Sequence, residues 1–251
     1  YFINFIMTHK KIRIAKLLAN YNQGSRREIE KMIIDKKVSL NGKIISSPVT
    51  FANISDDIKI NKKKINFIKK VRIFKFFKPR GVLCSKKKQD SRKIIYEILS
   101  SKFKNYIFAG RLDYNSEGLI ILTNSSKITR SLEKPEYNFS RIYEVRVYGE
   151  FNLGNLKKIS SGVNIKGIKY KPFQFHIKSK IKKNTNLEMT LFEGKKNEIR
   201  EIFKSLNLQV NKLKRTQHGP FLLKNMKPGD IKEVTVNEIN LYENYIRNKE
   251  G

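Results

Sequence analysis

The sequence predicts an α+β protein built in two parts. Three observations carry that reading. Two amphipathic helices and a hairpin succeed one another over residues 12–61, a lysine-rich stretch covers 62–70, and from Val71 strand-like and helix-like pieces alternate. A chain of 251 residues exceeds the usual length of one domain and allows a large core beside a small one.

In "IRIAKLLANY", Ile14, Leu17 and Leu18 fall on one helical face and Arg13 and Lys16 lie away from it. After a turn at Gly24, Ser25 stands three residues before Glu28, the reciprocal spacing of a capping box. Ile29, Met32 and Ile33 then repeat at helical period, so a second helix starts near Arg26. Beyond Lys36 the pattern changes to alternation, Val38 and Leu40 before Asn41-Gly42 and Ile44 after it, which is the strongest short-range hairpin signal. Residues 12–61 are expected to form a small unit of two helices and a hairpin. "NKKKINFIKK" has no clear period, and residues 62–70 are expected to be a basic tether that also meets phosphate.

The larger part, 71–247, reads as "VRIFKFF" in a strand, a turn at Pro79-Arg80-Gly81, a helix near "SRKIIYEILS", and strands in "YIFAG" and "GLIILT". Further strands are expected at 143–148, 187–192 and 209–215, with helices at 153–160, 197–206 and 237–247.

Charge narrows the partner. Lys plus Arg total 54 against 22 Asp plus Glu, a net charge of +32, while 39% hydrophobic residues are enough for a folded core. A polyanion is the expected partner. No apolar stretch approaches the roughly 18–20 residues that span a bilayer, so nucleic acid is favoured over membrane. The opening "YFINFIMTHKK" reads as a leader or a frayed terminus. Cys84 is the single cysteine, which suits a reducing interior, and it and His9, His176 and His218 lack metal-ligand spacing.

Chemistry points to "AGRLDYNSEGLIILTN", residues 109–124, where Arg111, Asp113 and Glu117 stand on the lip of an apolar run. A carboxylate beside Leu119 and Ile121 must be held in its charged form by a cation or by hydrogen-bond donors. Taken alone, Asp113 reads as a turn or cap residue and the arginine of "NEIREIF" as a surface helix residue, while Tyr143 reads as well as a core aromatic as it does as a site residue.

G-R-L-D followed by S-E-G-L and an aliphatic run ending in T-N resembles the catalytic motif of the ribosomal pseudouridine synthases of the RsuA and RluB type. "KPRGVLCS", "RIYEVRVYG", "EGKKNEIREIF" and "LKRTQHGPF" follow the same family's order. The stretches "RIAKLL", "SRREIEKMI" and "KVSLNGKII" resemble the alpha-L RNA-binding domain of a small-subunit ribosomal protein and of several RNA-modifying enzymes. Together the resemblance spans roughly residues 12–235. It departs from the pattern at Glu201, where many relatives carry a basic residue, and in "TNSSKI", which lacks an acidic residue after T-N.

The resemblance implies a mixed or antiparallel sheet in the catalytic part and isomerisation of uridine to pseudouridine in ribosomal RNA, the large-subunit RNA ahead of the small-subunit one. It implies Asp113 as the catalytic carboxylate, Tyr143 over the uracil, and Arg200 as a basic partner forking onto Asp113. No cofactor and no metal are expected. Phosphate contacts are expected from Arg13, Lys16, Arg26, Arg27 and Lys31, and from Arg80, Arg111, Lys195, Lys196, Lys214 and Arg215. Arg111 and Glu117 are expected to pair across their loop. The expected setting is a monomer in a bacterial-type cytoplasm or organelle interior, acting on ribosomal RNA or an assembly intermediate, with no membrane partner. The competing readings are a noncatalytic ribosome-assembly factor, and a metal-dependent nuclease using Asp113 with Glu117.

Overall fold

A computed structural model describes residues 11–21, 23–67 and 71–250. The opening decapeptide, including the expected leader and His9, lies outside the described residues. The chain divides into two compact units. The first runs to Arg72 and takes in residues 105–107 and 123–128; the second holds the remainder from Ile73 onward.

The first unit contains β1 (Ile12–Arg13), α1 (Ile14–Asn20), α2 (Arg26–Ile34), β2 (Val38–Leu40), β3 (Lys43–Ile44), β4 (Phe51–Ala52), β5 (Ile58–Ile60) and β6 (Lys63–Lys64). Its helix signals are read out directly. The amide of Glu28 donates to Ser25 Oγ (3.2 Å) and the amide of Ser25 donates to the Glu28 carboxylate (2.8 Å), closing the capping box. Ile14, Leu17 and Leu18 of α1 meet Ile29 and Ile33 of α2 in a buried cluster. Asn41 (φ 49°) and Gly42 (φ 82°) turn β2 into β3, with Ser39 opposite Ile44 and Leu40 opposite Lys43.

Two expectations are corrected here. The hairpin is half of a four-stranded sheet in the order β3-β2-β5-β6, and β1 pairs with β4. The supposed tether also contributes to this unit. Lys63 and Lys64 lie in β6, Lys64 pairs with Asp57 (3.3 Å), and Phe67 is buried edge-on against Tyr21 (4.9 Å between ring centres). Residues 68–70 lie outside the described residues.

Beyond Arg72 the chain continues with β7 (Ile73–Lys78), α3 (Ile95–Ile98), β8 (Ile107–Ala109), β9 (Glu117–Thr123), α4 (Ser126–Glu133), β10 (Arg141–Tyr148) and α5 (Leu153–Ser160). It is completed by β11 (Val163–Ile165), β12 (Ile168–Tyr170), β13 (Gln174–Ile181), β14 (Asn184–Leu191), α6 (Glu198–Ser205), β15 (Gln209–His218), β16 (Phe221–Leu222), β17 (Ile231–Glu233) and α7 (Val236–Glu250). A nine-stranded sheet runs β13-β14-β10-β15-β9-β7-β17, with β16 beside β15 and β8 beside β9. The sheet is mixed: β10 is antiparallel to both β14 and β15, while β15 and β9 run parallel. Among the described residues no helix is long and apolar enough to cross a membrane.

The helix expected over "SRKIIYEILS" shrinks to the single turn of α3. Leu83 explains the loss, because its amide donates to the Lys93 carbonyl (2.9 Å) and its carbonyl accepts from Ile95 (2.8 Å), which draws 93–94 into a bridge. All of β7 is buried, including Lys75, whose ammonium meets Glu238 of α7 at 2.6 Å. Burial pushes the Glu238 carboxyl up, but Lys75 and the amides of Thr235 and Leu222 outweigh it and hold the group below its ordinary value.

The sheet sets one tight constraint beside the loop that carries Asp113. Lys214 and Arg215 of β15 lie opposite Glu117 and Gly118 of β9. Gly118 has φ +109°, and a Cβ there would stand 2.3 Å from the Arg215 carbonyl oxygen. Only glycine permits that approach. Gly118→Ala is expected to cost at least about 3 kcal/mol, from left-handed strain plus a backbone clash, read as a fall in the urea midpoint. Lys75→Met should cost about 3–5 kcal/mol by stranding the Glu238 charge, while Lys75→Met with Glu238→Gln, which removes the charge and keeps an acceptor for the amides of Thr235 and Leu222, should recover most of it in the same urea titration.

Candidate active site

The chain leaves β8 through Gly110 (φ 70°), whose amide donates to Glu133 (2.7 Å). Leu112 is buried and its amide donates to Cys84 Sγ (3.4 Å). Asp113 then opens a tight turn closed by Ser116 N donating to the Asp113 carbonyl (3.0 Å), and Gly81 N donates to the Tyr114 carbonyl (2.9 Å). From below, the buried Lys78 ammonium donates to the carbonyls of Ser116 (2.7 Å) and Pro79 (2.9 Å). Burial pulls the Lys78 pKa down to about 8, against the opposing pull of Cys84 and Asp113. Cys84 is shielded too, and burial pushes its thiol up. The loop is therefore pinned at several backbone atoms while the Asp113 side chain is left to the cleft.

That cleft holds about 830 Å³, and Asp113, Arg141, Tyr143, Asn197, Glu198 and Arg215 line it. Tyr143 is only 8% exposed and sits in β10 with Met189 on one side and Arg215 on the other. Among the sequence-derived trio, Asp113 and Tyr143 thus share one cavity wall. Arg200 does not.

The expected fork from Arg200 to Asp113 is not formed. Arg200, in α6, donates to the carbonyls of Val210 (3.0 Å) and Asn115 (3.2 Å) and to Ser116 Oγ (3.4 Å). Its guanidinium clamps the turn after Asp113 to β15, because backbone carbonyls lie nearer than the carboxylate. Burial lowers the Arg200 pKa and the Asp113 charge raises it in part, so the two groups interact through space. Direct hydrogen bonding to the carboxylate comes from Asn197, which the sequence reading passed over. With its amide nitrogen turned toward the loop, Asn197 donates to both Asp113 oxygens at 3.0 and 3.2 Å.

Other expectations also change. Arg215 is 1% exposed, donates from Nε to the Leu119 carbonyl (2.7 Å), and so braces β9 rather than gripping phosphate. Lys214 points to the opposite face and pairs with Glu144 (2.6 Å). Lys195 is drawn to Glu193 (3.1 Å) and the Lys169 carbonyl, over the Tyr170 ring. Glu117 pairs with Lys212 (3.7 Å) instead of Arg111. Arg80, Arg111 and Lys196 are exposed, and the last two line the cleft. In the first unit Arg13, Lys16, Arg26, Arg27 and Lys31 are all exposed, away from the buried cluster of α1 and α2.

The cleft is floored by the buried guanidinium groups of Arg141 and Arg215, and the buried His218 lies opposite Arg141 in β15. Arg141 donates to the carbonyls of Leu132 (3.0 Å) and Phe139 (3.4 Å). His218 is kept far below its ordinary value, first by burial and then by Arg215 and Arg141, and is neutral at pH 7. Across the cleft, burial and the neighbouring Glu193 push the Glu198 carboxyl well up, and its carboxylate accepts from Lys195 N (3.1 Å). A carboxylate held by neutral donors, beside an aromatic ring and above fixed positive charge, can attack or deprotonate a substrate carried on a polyanion.

Comparisons with known proteins give the family of the chain. The family model described as RNA pseudouridylate synthase matches residues 73–205, and the S4 domain model matches residues 12–58. An uncharacterized RNA pseudouridine synthase of Rickettsia typhi is 41% identical, covering 94% of this chain and 99% of its own length. Ribosomal large subunit pseudouridine synthase B of Buchnera aphidicola (Acyrthosiphon pisum) is 32% identical over 95% and 99%, and its namesake from Bacillus subtilis 29% over 90% and 93%. A crystal structure of a pseudouridylate synthase, 24% identical, superposes with a TM-score of 0.65 over 91% of this chain and 98% of its own, which shows a shared fold. With its motifs, its mixed sheet and these matches in agreement, the chain belongs to the RNA pseudouridylate synthase family, as an isomerase carrying an S4 domain ahead of its catalytic part.

Proposed function

We propose that this enzyme converts a uridine of large-subunit ribosomal RNA to pseudouridine, with Asp113 as its reacting carboxylate. The observation that carries the reading is the placement of Asp113 in a cleft shared with Tyr143 and floored by buried guanidinium groups. The bond from ribose C1′ to uracil N1 breaks, the base turns, and C1′ joins C5, which loses its proton as N1 gains one. Nothing is oxidised and no group enters or leaves, so the isomerisation needs no cofactor. Asp113 either attacks C1′ or removes the 2′ proton. Tyr143 supplies a flat wall for a base lifted from the stack. Arg200 acts at one remove, fixing the turn and supplying positive charge behind it.

The substrate assignment is supported by relatives named for the large ribosomal subunit. The exposed Arg13, Lys16, Arg26, Arg27 and Lys31 of the first unit are assigned to RNA phosphates, as are Arg80, Arg111 and Lys196 of the second. The protein is proposed to work as a monomer, in the compartment that holds ribosomes, on free ribosomal RNA or an assembly intermediate.

The test is release of tritium from C5-labelled uridine in a ribosomal RNA fragment under single-turnover conditions, beside pseudouridine mapping of ribosomal RNA with and without the gene. Asp113→Asn is expected to fold and to bind RNA as the unaltered protein does, and to release no detectable tritium. A rate of even one tenth of the original would sink the assignment of Asp113. A modification that vanishes from small-subunit RNA instead would move the substrate.

A further inference from the structure

We infer that Asn197 is the positioning residue for the catalytic carboxylate, orienting Asp113 through a neutral amide where an arginine fork would be expected. The inference rests on the reading of Asp113 as the reacting group. With its amide nitrogen turned toward the loop, the orientation in which both of its polar atoms find partners, Asn197 donates to both Asp113 oxygens, at 3.0 and 3.2 Å. The nearest alternative orienter, Arg200, is occupied by Val210, Asn115 and Ser116.

The backbone at Asn197 is consistent with a dedicated role. It lies at φ 55°, ψ 19°, in the left-handed region that asparagine tolerates better than most residues. It also precedes α6 at the position where an asparagine side chain ordinarily caps the helix, yet it makes no capping bond. The side chain is directed at Asp113 instead. The helix is anchored without it, because the Asn197 carbonyl still accepts from Glu201 N (2.9 Å).

The choice of a neutral donor has a chemical consequence. A forked guanidinium would fix the carboxylate but would also neutralise much of its charge at contact distance. An amide fixes the same two oxygens and leaves the full charge available for attack or proton removal. The positive field comes from groups that do not touch it: Lys78 and Arg200 both feel the Asp113 charge.

Two variants test this. Asn197→Gly keeps the left-handed backbone and removes the donors; Asn197→Asp keeps the size but sets a second carboxylate about 3 Å from the first. Single-turnover tritium release against pH is measured for both, with RNA affinity by filter binding and folding by thermal melting. Asn197→Gly is expected to slow the saturated reaction tenfold or more with affinity unchanged within twofold. In Asn197→Asp the acidic limb of the pH profile should move up by at least one unit, because facing carboxylates cannot both ionise at the original pH. A merely structural loss would lower the rate without moving that limb, and an unmoved limb in a folded Asn197→Asp overturns the proposal. If that variant does not fold, Asn197→Gly decides alone, and a rate within threefold of the unaltered protein overturns it. Asp113→Asn is run in parallel. Activity kept there defeats the reading of Asp113 and this inference with it, whereas activity lost there but kept in Asn197→Gly defeats only the role of Asn197.

Discussion

The second unit depends on the approach of β9 to β15 at Gly118 and Arg215. A Cβ on Gly118 would fall 2.3 Å from the Arg215 carbonyl, so the two backbones are as close as the chain permits. That contact fixes the end of the loop bearing Asp113. It also fixes what lies around it. Arg215 braces Leu119, Tyr143 faces Arg215 from the neighbouring strand, and Arg200 reaches from α6 to both Val210 of β15 and Asn115 of the loop. The geometry around Asp113 therefore descends from a backbone contact rather than from the side chains that line the cleft.

A chain of net charge +32 has no shortage of cations, yet Asp113 takes its direct hydrogen bonds from the Asn197 amide rather than from a lysine or arginine. Arg141, Arg200 and Arg215 donate to backbone carbonyls, and Lys78 does the same. Each therefore contributes a fixed positive potential without closing an ion pair on Asp113. Such an arrangement favours a polyanion in the cleft without covering the carboxylate. Backbone dipoles compensate part of the desolvation of these groups, and among the described residues Nη2 of Arg215 is left buried without a hydrogen-bond acceptor.

Short-range signals made much of this molecule legible. Ser25 with Glu28 marked a helix start, and Asn41-Gly42 marked a turn, because each motif satisfies its own local geometry. The second turn of the small sheet uses Asn61 (φ 50°) and Lys62 (φ 66°), and a lysine in the left-handed region leaves no trace in sequence. Two- and three-residue strands such as β4 and β6 are too short to alternate visibly. At the site, Asp113 and Tyr143 were legible through motifs. The partners of Arg200 and Arg215 were not, since both arginines are satisfied by carbonyls whose positions only the folded sheet determines. Asn197 stood in "KKNE" as an ordinary polar residue, and its value depends on an Asp 84 positions earlier in the chain.

The same β9–β15 contact has a consequence for how the protein is made. The small sheet of the first unit is knit by local pairings, such as Ser39 with Ile44 and Val38 with Ile60, between strands close together in the chain. Gly118 must wait for Arg215, nearly a hundred residues later. During synthesis the small sheet can thus pair early, while the loop bearing Asp113 lacks its support until the parallel partner of β9 emerges. The nascent protein passes through a stage in which the small sheet is finished and that loop is not yet backed by β15.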